Sequence, residues 1–502
     1  MKIIHIIASY KPAYIYGGPI QSVAKLCEVL EELSDQRLAV GDDAFKVQVF
    51  TTTANGTKEL DVKTGIPVLI EGVPVTYFKR WTKDHSHFSP GLLWELRKML
   101  RQVRRDRQNK PPRLAAPPSK EGNIIHIHAW WNLVSVLSCF IAKWYRIPVI
   151  LSPRGMLTSY TLGNRNSLSK TLIHKLLGKK LLKYCHIHAT SEQERADILG
   201  IVRPKSIRVI PNLVSSSLED QDSECVAGSE NKIAIREDKV EPYQDRVATR
   251  QDKVTTSQDK LATRQDKVAT RQDKVTPRQD KVTTSQDKVT TSQDNVTTSQ
   301  DKVTTRQDKV VSSGYQIASI ENRTADSFKL IFLSRIEEKK GLELLFKALA
   351  AIEIPWSLTI AGSGEKQYLQ SLKQMARELK LSDKIYWLGQ VNNQDKYTLM
   401  AAHDLLVLTS YNENFANVVV ESLSVGTAVL VSEQVGLSDY VKDNELGWVT
   451  GLEIEEIQKT IITAYQSPEK RQNIRSTASL AIRKDFNDNT LAKQYLDFYE
   501  IL

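Results

Sequence analysis

Two glutamates separated by seven residues, Glu413 and Glu421, mark the stretch of this sequence best equipped for chemistry. They lie between Leu405 and Val441. That stretch opens on the apolar run Leu405-Leu406-Val407-Leu408 and passes through a polar loop, Ser410-Tyr411-Asn412-Glu413-Asn414. A helical segment from Phe415 to Val425 follows and stops at Gly426, and a second apolar run covers Ala428 to Val431. Strand, loop, helix and strand make a βαβ unit, whose loop lies where open α/β sheets bind ligands. The helix amino end there offers unpaired N–H groups and partial positive charge, which suit a phosphate. The carboxylates of Glu413 and Glu421 suit a different task, accepting hydrogen bonds from sugar hydroxyls.

Arg335 and Lys340 are the matching cations. An arginine at a strand end with a lysine five residues on, at a helix start, forms a clamp that can neutralise charge developing on a departing diphosphate. Near the amino terminus, Tyr16-Gly17-Gly18-Pro19 follows the first apolar run. Gly17 and Gly18 there let backbone N–H groups approach a ligand; the plain alternative is an ordinary turn. His126 and His128 alternate along one strand and point to one side. The plain expectation for them is one core histidine and one half-exposed. Arg154, in Ser152-Pro153-Arg154-Gly155-Met156-Leu157, serves either an anion, phosphate or acceptor, or a structural ion pair.

The elements that must position these groups alternate through the chain. Strand patterns cover Ile3–Ala8, Lys46–Thr51, Val75–Phe78, Ile124–His128, Val149–Ser152, His186–Thr190 and Ile207–Pro211. Between them, helical patterns cover Ile20–Leu33, after a loop at Ser9–Pro19, and Ser89–Arg105, Leu133–Tyr145, Ser169–Tyr184 and Glu192–Leu199, with a Pro- and Lys-containing loop at Asn109–Glu121. Further strands are expected at Lys329–Ser334, Ser357–Ala361 and Lys384–Leu388, and helix dominates Ser467–Leu502. Strands alternating with helices indicate doubly wound parallel sheets.

From Lys239 to Val310 the composition changes to a heptad of the type Gln-Asp-Lys-Val-Thr-Thr-Ser, with an aliphatic residue every seventh position from Val240 to Val310. A coiled coil needs two apolar positions per heptad and good helix formers. This repeat has one and is rich in Thr and Ser, so it is read as disordered. A linker about three doublings longer than a dozen residues costs about 2 kcal/mol in closure entropy, which leaves either flanking domain able to fold.

Taken together, Glu413-x7-Glu421 followed by Ser-Val-Gly-Thr-Ala-Val, with Arg335 and Lys340, resembles the family-4 glycosyltransferases. The resemblance covers nearly everything outside the repeat. It implies the GT-B fold: two Rossmann-like domains facing a cleft, here with a disordered heptad-repeat insert between them. The expected organisation is an acceptor-side domain at 1–214, the insert at 215–327, a nucleotide-sugar-binding domain at 328–480, and a carboxyl-terminal helix at 481–502 crossing back to the first domain. It implies a transferase that moves a sugar from a nucleotide-diphospho-sugar to a glycan or lipid-linked acceptor with retention of anomeric configuration, in cell-surface polysaccharide biosynthesis. Glu413 and His128 would hold the transferred sugar as the catalytic pair, with Asn414, Phe415 and Ala416 beside them. Gly17, Gly18, Arg335 and Lys340 would take the diphosphate. Glu421 would hold the ribose and Gly389 the base. Arg154 would face the acceptor. Metal is not required, since the basic pair handles the leaving-group charge. Leu213 and Ser215 depart from the family's Pro-Asn-Gly-Val-Asp, which bears on the geometry of the turn that ends the first domain; Ala416 and Ala428 stand where many relatives have Gly and Pro, and these two changes are read as mild. The rival reading is a non-catalytic scaffold of the same fold whose repeat mediates interactions.

Bulk properties agree. At 41% hydrophobic and 25% charged over 502 residues, the chain supports two or three packed domains. The apolar start Met1–Ala8 is read as a strand and not a signal peptide. Cys27, Cys139, Cys185 and Cys225 show no metal or disulfide spacing, which suits a reducing cytoplasm. The net charge of +10 is partly concentrated in Leu96–Arg113 and in Lys170–Lys183. The latter is a basic amphipathic pattern that suits either an anionic membrane surface, at the inner face of the plasma membrane, or an ordinary surface helix. Nucleic acid is disfavoured, since no recognisable binding module is present.

Overall fold

The computed structural model describes residues 1–41, 44–84, 86–109, 123–158, 178–214 and 327–502. The heptad repeat, Ser215, the loop 110–122 and most of the basic segment Lys170–Lys183 lie outside the described residues. Met1–Gln221 and Ser319–Leu502 cluster as one compact unit, built on two sheets.

The first sheet uses β1 (Lys2–Ile6), β2 (Lys46–Thr52), β5 (Pro67–Ile70), β6 (Val73–Phe78), β7 (Asn123–His128), β8 (Val149–Ser152), β9 (His186–Ala189) and β10 (Ser206–Val209). A small hairpin, β3 (Ala54–Asn55) with β4 (Lys58–Glu59), stands apart. The order is β10-β9-β8-β7-β1-β2-β6-β5, parallel except for β5, which pairs antiparallel with β6. Helices α1 (Gly18–Ala39), α2 (Pro90–Asn109), α3 (Leu133–Trp144), α4 (Lys179–Leu182) and α5 (Glu192–Ile201) connect it.

The second sheet has the order β13-β12-β11-β14-β15-β16 and is wholly parallel. Its strands are β11 (Phe328–Leu333), β12 (Trp356–Ala361), β13 (Ile385–Gly389), β14 (Leu405–Leu408), β15 (Ala428–Ser432) and β16 (Gly447–Thr450). Its helices are α6 (Leu342–Ala350), α7 (Lys366–Glu378), α8 (Asn393–Ala401), α9 (Asn417–Ser424), α10 (Ser438–Asp443), α11 (Ile454–Tyr465), α12 (Pro468–Asp485) and α13 (Asp488–Glu500). Each sheet reverses its winding once, between β1 and β7 and between β11 and β14. Those are the switch points at which doubly wound sheets open a crevice.

Local chemistry explains the boundaries. Pro19 sits in the first turn of α1, where its missing N–H costs nothing. Asn132, Ser191 and Asn487 cap α3, α5 and α13 by accepting from backbone N–H groups three residues on. The central strands are buried on both faces, which is why they read as unbroken apolar runs. The short strands β5 and β16 are not among the expected ones: β5 is an apolar run that opens on Pro67 and lies at the sheet edge, incompletely buried, and β16 (Gly-Trp-Val-Thr) has no such run. α2 continues past Arg105 to Asn109, and α9 begins at Asn417, two residues later than its apolar pattern suggests. Ala416 explains the second difference. Its φ is 67°, left-handed, so it cannot be a helical residue.

Helix α13 packs on α1 of the first domain. Lys25 meets Asp488 at 3.3 Å and Arg208 lies over the Phe498 ring at 5.4 Å. Leu491, Tyr495, Leu496, Phe498 and Tyr499 are buried there.

Candidate functional site

The loop after β1 and the loops after β11 and β14 meet. Gly17, at φ 73°, turns the first loop into α1. A β-carbon on it would lie 3.5 Å from Arg335 Nε, and one on Gly18 would lie 3.5 Å from Asn417 Nδ2. The amino ends of α1 and α9 and the Arg335 guanidinium therefore converge. Arg335 is half-exposed, with Nη1 2.7 Å from Glu337.

Below it, Lys340 donates to the Glu413 carboxylate in a largely buried ion pair. Burial pushes the Glu413 carboxyl up, but Lys340, with Lys339 and Arg335, outweighs this and holds it below its ordinary value. Burial lowers the Lys340 ammonium, and Glu413 only partly offsets that. The loop is pinned by its backbone: Glu413 N–H donates to Gln434 O at 3.0 Å and its carbonyl accepts from Gly436 N–H at 2.8 Å. Within α9, Glu421 accepts from Lys396 Nζ at 2.9 Å, both side chains nearly excluded from solvent.

The two domains touch beside this pair. Ser191 Oγ donates to the Asn414 carbonyl at 3.0 Å, and Asn414 Nδ2 donates to Thr190 Oγ1. Gly155 permits the approach, since a β-carbon there would stand 2.9 Å from Asn414 Cβ. Asn212 Nδ2 donates to Asn417 Oδ1 at 3.1 Å.

On the first domain's side lies an array of imidazoles at the β1/β7 switch point. Its protons can be ordered from fixed donors and acceptors. Arg154 Nε can only donate, so His128 Nδ1 accepts (3.4 Å) and His128 Nε2 carries the proton. That proton goes to His5 Nδ1 at 3.0 Å, between rings coplanar within 7°. In the second chain, the Ile210 carbonyl can only accept, so His188 Nε2 donates (2.8 Å) and His188 Nδ1 accepts from Ser152 Oγ (2.6 Å). Ser152 Oγ then accepts from His126 Nε2 (2.7 Å), and His126 Nδ1 accepts from Tyr499 Oη (2.8 Å). Every imidazole is neutral. Burial, then the Arg154 charge, lowers His5 to about 3. Burial lowers His188 to about 3 against the opposing Ile210 bond. His126 and His128 fall well below their ordinary value, first from burial, then from His5 and His188 for His126 and from His126 and Arg154 for His128. Nitrogens of His5, His126 and His128 lie within 4.8 Å, a spacing seen in metal sites. The His5–His128 contact is closed by its own proton, however, and the Arg154 guanidinium is an adverse neighbour for a cation.

The sequence-derived site residues divide accordingly. Gly17, Gly18, Arg335, Lys340 and Glu413 are brought together, and Glu421 stands on α9 behind them. Gly389 ends β13 at φ 70° with open space around it. Arg154 is not a carboxylate-paired structural arginine among the described residues; its partners are His128, Ser22 and Asn212, the last two at 2.9 Å. One expectation needs correction, that of a half-exposed histidine, and the surroundings of two loop residues narrow what they can offer. His128 is fully buried with both nitrogens engaged, as is His126, so neither is half-exposed. The Asn414 Nδ2 is given to Thr190 across the domain contact, while its buried Oδ1 has no hydrogen-bond partner among the described residues. The Phe415 ring is 2% exposed and packs on Phe486 at 6.0 Å, which leaves only its backbone for a ligand. The sequence reading missed His5, His188, Lys396, Asn417, Tyr495 and Tyr499. For His5 the signal was available: a histidine inside an apolar strand must find a buried partner. Cys139 and Cys185 are also closer than their spacing suggests, with non-bonded sulfurs 3.4 Å apart.

Known proteins match this arrangement. The Glycosyl transferase 4-like domain matches residues 17–213 and the domain described as Glycosyl transferases group 1 matches 316–480. An uncharacterized glycosyltransferase of Methanocaldococcus jannaschii is 28% identical over 180 residues, 35% of this chain and 45% of that protein. The lipopolysaccharide core biosynthesis glycosyltransferase LpsD of Rhizobium meliloti is 24% identical over 186 residues, 35% of this chain and 50% of that one. The match thus spans about half the length of these relatives. Among solved structures, HepE of Anabaena in complex with UDP-glucose superposes with a TM-score of 0.58 at 17% identity, covering 100% of both chains. Sucrose-phosphate synthase from Thermosynechococcus elongatus gives 0.58 at 16%, covering 100% of this chain and 98% of that one. Two family domains in the family's order, on two doubly wound sheets whose switch points face one another, make this chain a member of the family-4 glycosyltransferases of the GT-B fold.

Proposed function

We propose that the protein transfers a sugar from a nucleotide-diphospho-sugar to a glycan or lipid-linked acceptor, with retention of configuration and without a metal ion, on the cytoplasmic side of cell-surface polysaccharide assembly. The observation that carries this reading is the convergence of Gly17, Gly18, Arg335 and the α9 amino end above the Lys340–Glu413 pair. The donor diphosphate takes the place between them. Arg335 and Lys340 neutralise the charge that grows on the departing diphosphate. As Lys340 turns to the phosphates, a Glu413 oxygen is released to accept from a sugar hydroxyl. Glu421, oriented by Lys396, accepts from the ribose. For His128 to accept from the sugar on the opposite side, Arg154 gives up its 3.4 Å bond to Nδ1 and opens a path to a ring that is otherwise fully buried. That HepE was solved with UDP-glucose and that LpsD is named for lipopolysaccharide core biosynthesis support this donor and acceptor class.

Calorimetry with UDP, GDP and ADP tests it, using the full chain. Micromolar binding of one nucleotide, weakened by Glu421→Ala and Lys340→Ala, is the expected result and names the donor class. Binding of none of them sinks the reading and leaves a scaffold.

A further inference from the structure

The helices α2 and α3 carry a surface that the transfer chemistry does not use. Trp94 on α2 is 67% exposed, and Phe140 and Trp144 on α3 are 44% and 69% exposed. Phe140 and Trp144, one turn apart, pair their rings at 6.4 Å. Three large apolar side chains kept in water on two adjacent helices are an interaction signal and not a packing accident.

Cations surround them. On α2, Arg97, Lys98, Arg101, Arg104 and Arg105 are all exposed. Helical spacing from Trp94 puts Arg97, Arg101 and Arg105 along its own face. Helices α2 and α3 pack side by side, and, against the upward push of burial, Arg97 and Arg101 hold the Tyr145 hydroxyl at the end of α3 below its ordinary value, which sets the basic face of α2 beside Trp144. From there the charge runs on: Lys143 Nζ donates to the Lys180 carbonyl at 3.3 Å, and Lys179, Lys180 and Lys183 are exposed. The opposing acids on α2 are Glu95, 3.6 Å from Lys98, and Asp106. The sequence holds no acidic residue between Arg154 and Glu192.

We propose that this α2–α3–α4 face docks the protein on an anionic lipid bilayer, with Trp94, Phe140 and Trp144 entering the headgroup boundary and the arginines and lysines meeting lipid phosphates. Charge complementarity selects the occupant. A net positive surface of this density is drawn to anionic lipid, and tryptophans flanked by cations are the side chains that settle at a membrane interface. Among the described residues no helix is long and apolar enough to cross a membrane, so the contact is a surface one. The expected seat thus moves from Lys170–Lys183 alone to a face anchored on α2. The inference rests on the proposed function only in that a lipid-linked acceptor would be met there.

The test is vesicle flotation of the full chain. Phosphatidylcholine vesicles are compared with vesicles containing about one-third phosphatidylglycerol, at about 0.1 M and about 1 M salt, where the screening length falls to about 3 Å. Binding to the anionic vesicles alone, released by high salt, is expected. Each cation near an anionic surface is worth roughly fivefold in partitioning, so Arg97→Glu with Arg101→Glu should lower it by at least about 25-fold. Trp94→Ser with Trp144→Ser should weaken binding and abolish the blue shift of tryptophan fluorescence on vesicles. Lys58→Glu, on the distant hairpin, should change neither. Melting temperature and nucleotide calorimetry on the same variants show whether the fold and cleft are intact. Unchanged nucleotide binding with no vesicle binding by the native chain overturns this inference and leaves the transferase reading standing. Salt-insensitive binding, equal binding by the arginine variant, or binding to duplex DNA in place of vesicles overturns it as well.

Discussion

Arg335 Nε stands 3.5 Å from the point a β-carbon on Gly17 would occupy, so a side chain of the second domain closes over a bare stretch of backbone in the first. Gly17 is also left-handed, at φ 73°. Gly17→Ala adds roughly 1–2 kcal/mol of backbone strain and sets a methyl group in contact with the guanidinium. Turnover (kcat/KM) should fall about tenfold, while nucleotide affinity, carried mainly by the second domain, changes little. Steady-state kinetics beside calorimetry checks the split.

The Lys340–Glu413 pair predicts an asymmetric double-mutant cycle. Lys340→Ala strands a buried carboxylate and should cost about 3 kcal/mol of stability. Adding Glu413→Ala removes the stranded charge and should recover most of that loss, while nucleotide binding stays weak. Urea denaturation of the four proteins measures the coupling.

Acid should weaken the first domain. His5 and His188 have folded-state values of about 3, below the ordinary 6.5, because burial disfavours the charged ring. Their contribution is therefore whole above about pH 6.5 and is lost as pH falls toward 3. Each group removes about 1.4 kcal/mol per pH unit across that window. Denaturant titrations at several pH values should show a slope reduced in Tyr499→Phe, which also leaves His126 Nδ1 without its donor.

Ala416→Gly should stabilise the protein by about 1 kcal/mol, since φ 67° penalises a β-carbon and not a glycine. The substitution of Ala for the family's Gly is therefore not mild. A thermal melt would show it, and an unchanged or lower midpoint would count against the left-handed turn.

Both sheets were legible because their strands are short apolar runs separated by helical periods, and parallel winding then follows. So were the places of Arg335, Lys340, Glu413 and Glu421, which lie after a strand, before a helix, in a strand-to-helix loop and within a helix that local pattern locates. The imidazole array was not. His5, His126, Ser152 and His188 come from four strands, and only the lateral order β1-β7-β8-β9 makes them neighbours. Likewise Asn414 reads as a loop polar group, and only the approach of Gly155 and Ser191 from another domain shows that its carbonyl and Nδ2 also serve the domain contact. Long-range pairing decides both cases, and no local window contains it.

Helix α13 belongs to the carboxyl-terminal half of the chain but buries Tyr495, Leu496, Phe498 and Tyr499 with the amino-terminal half. The covalent connection through the repeat is thereby not what holds the halves together. Produced as two separate polypeptides, 1–214 and 327–502, they should find each other and elute as one species. The gene could then gain or lose repeat units with little consequence for the cleft: the protein is, in effect, already a split enzyme joined by a clasp.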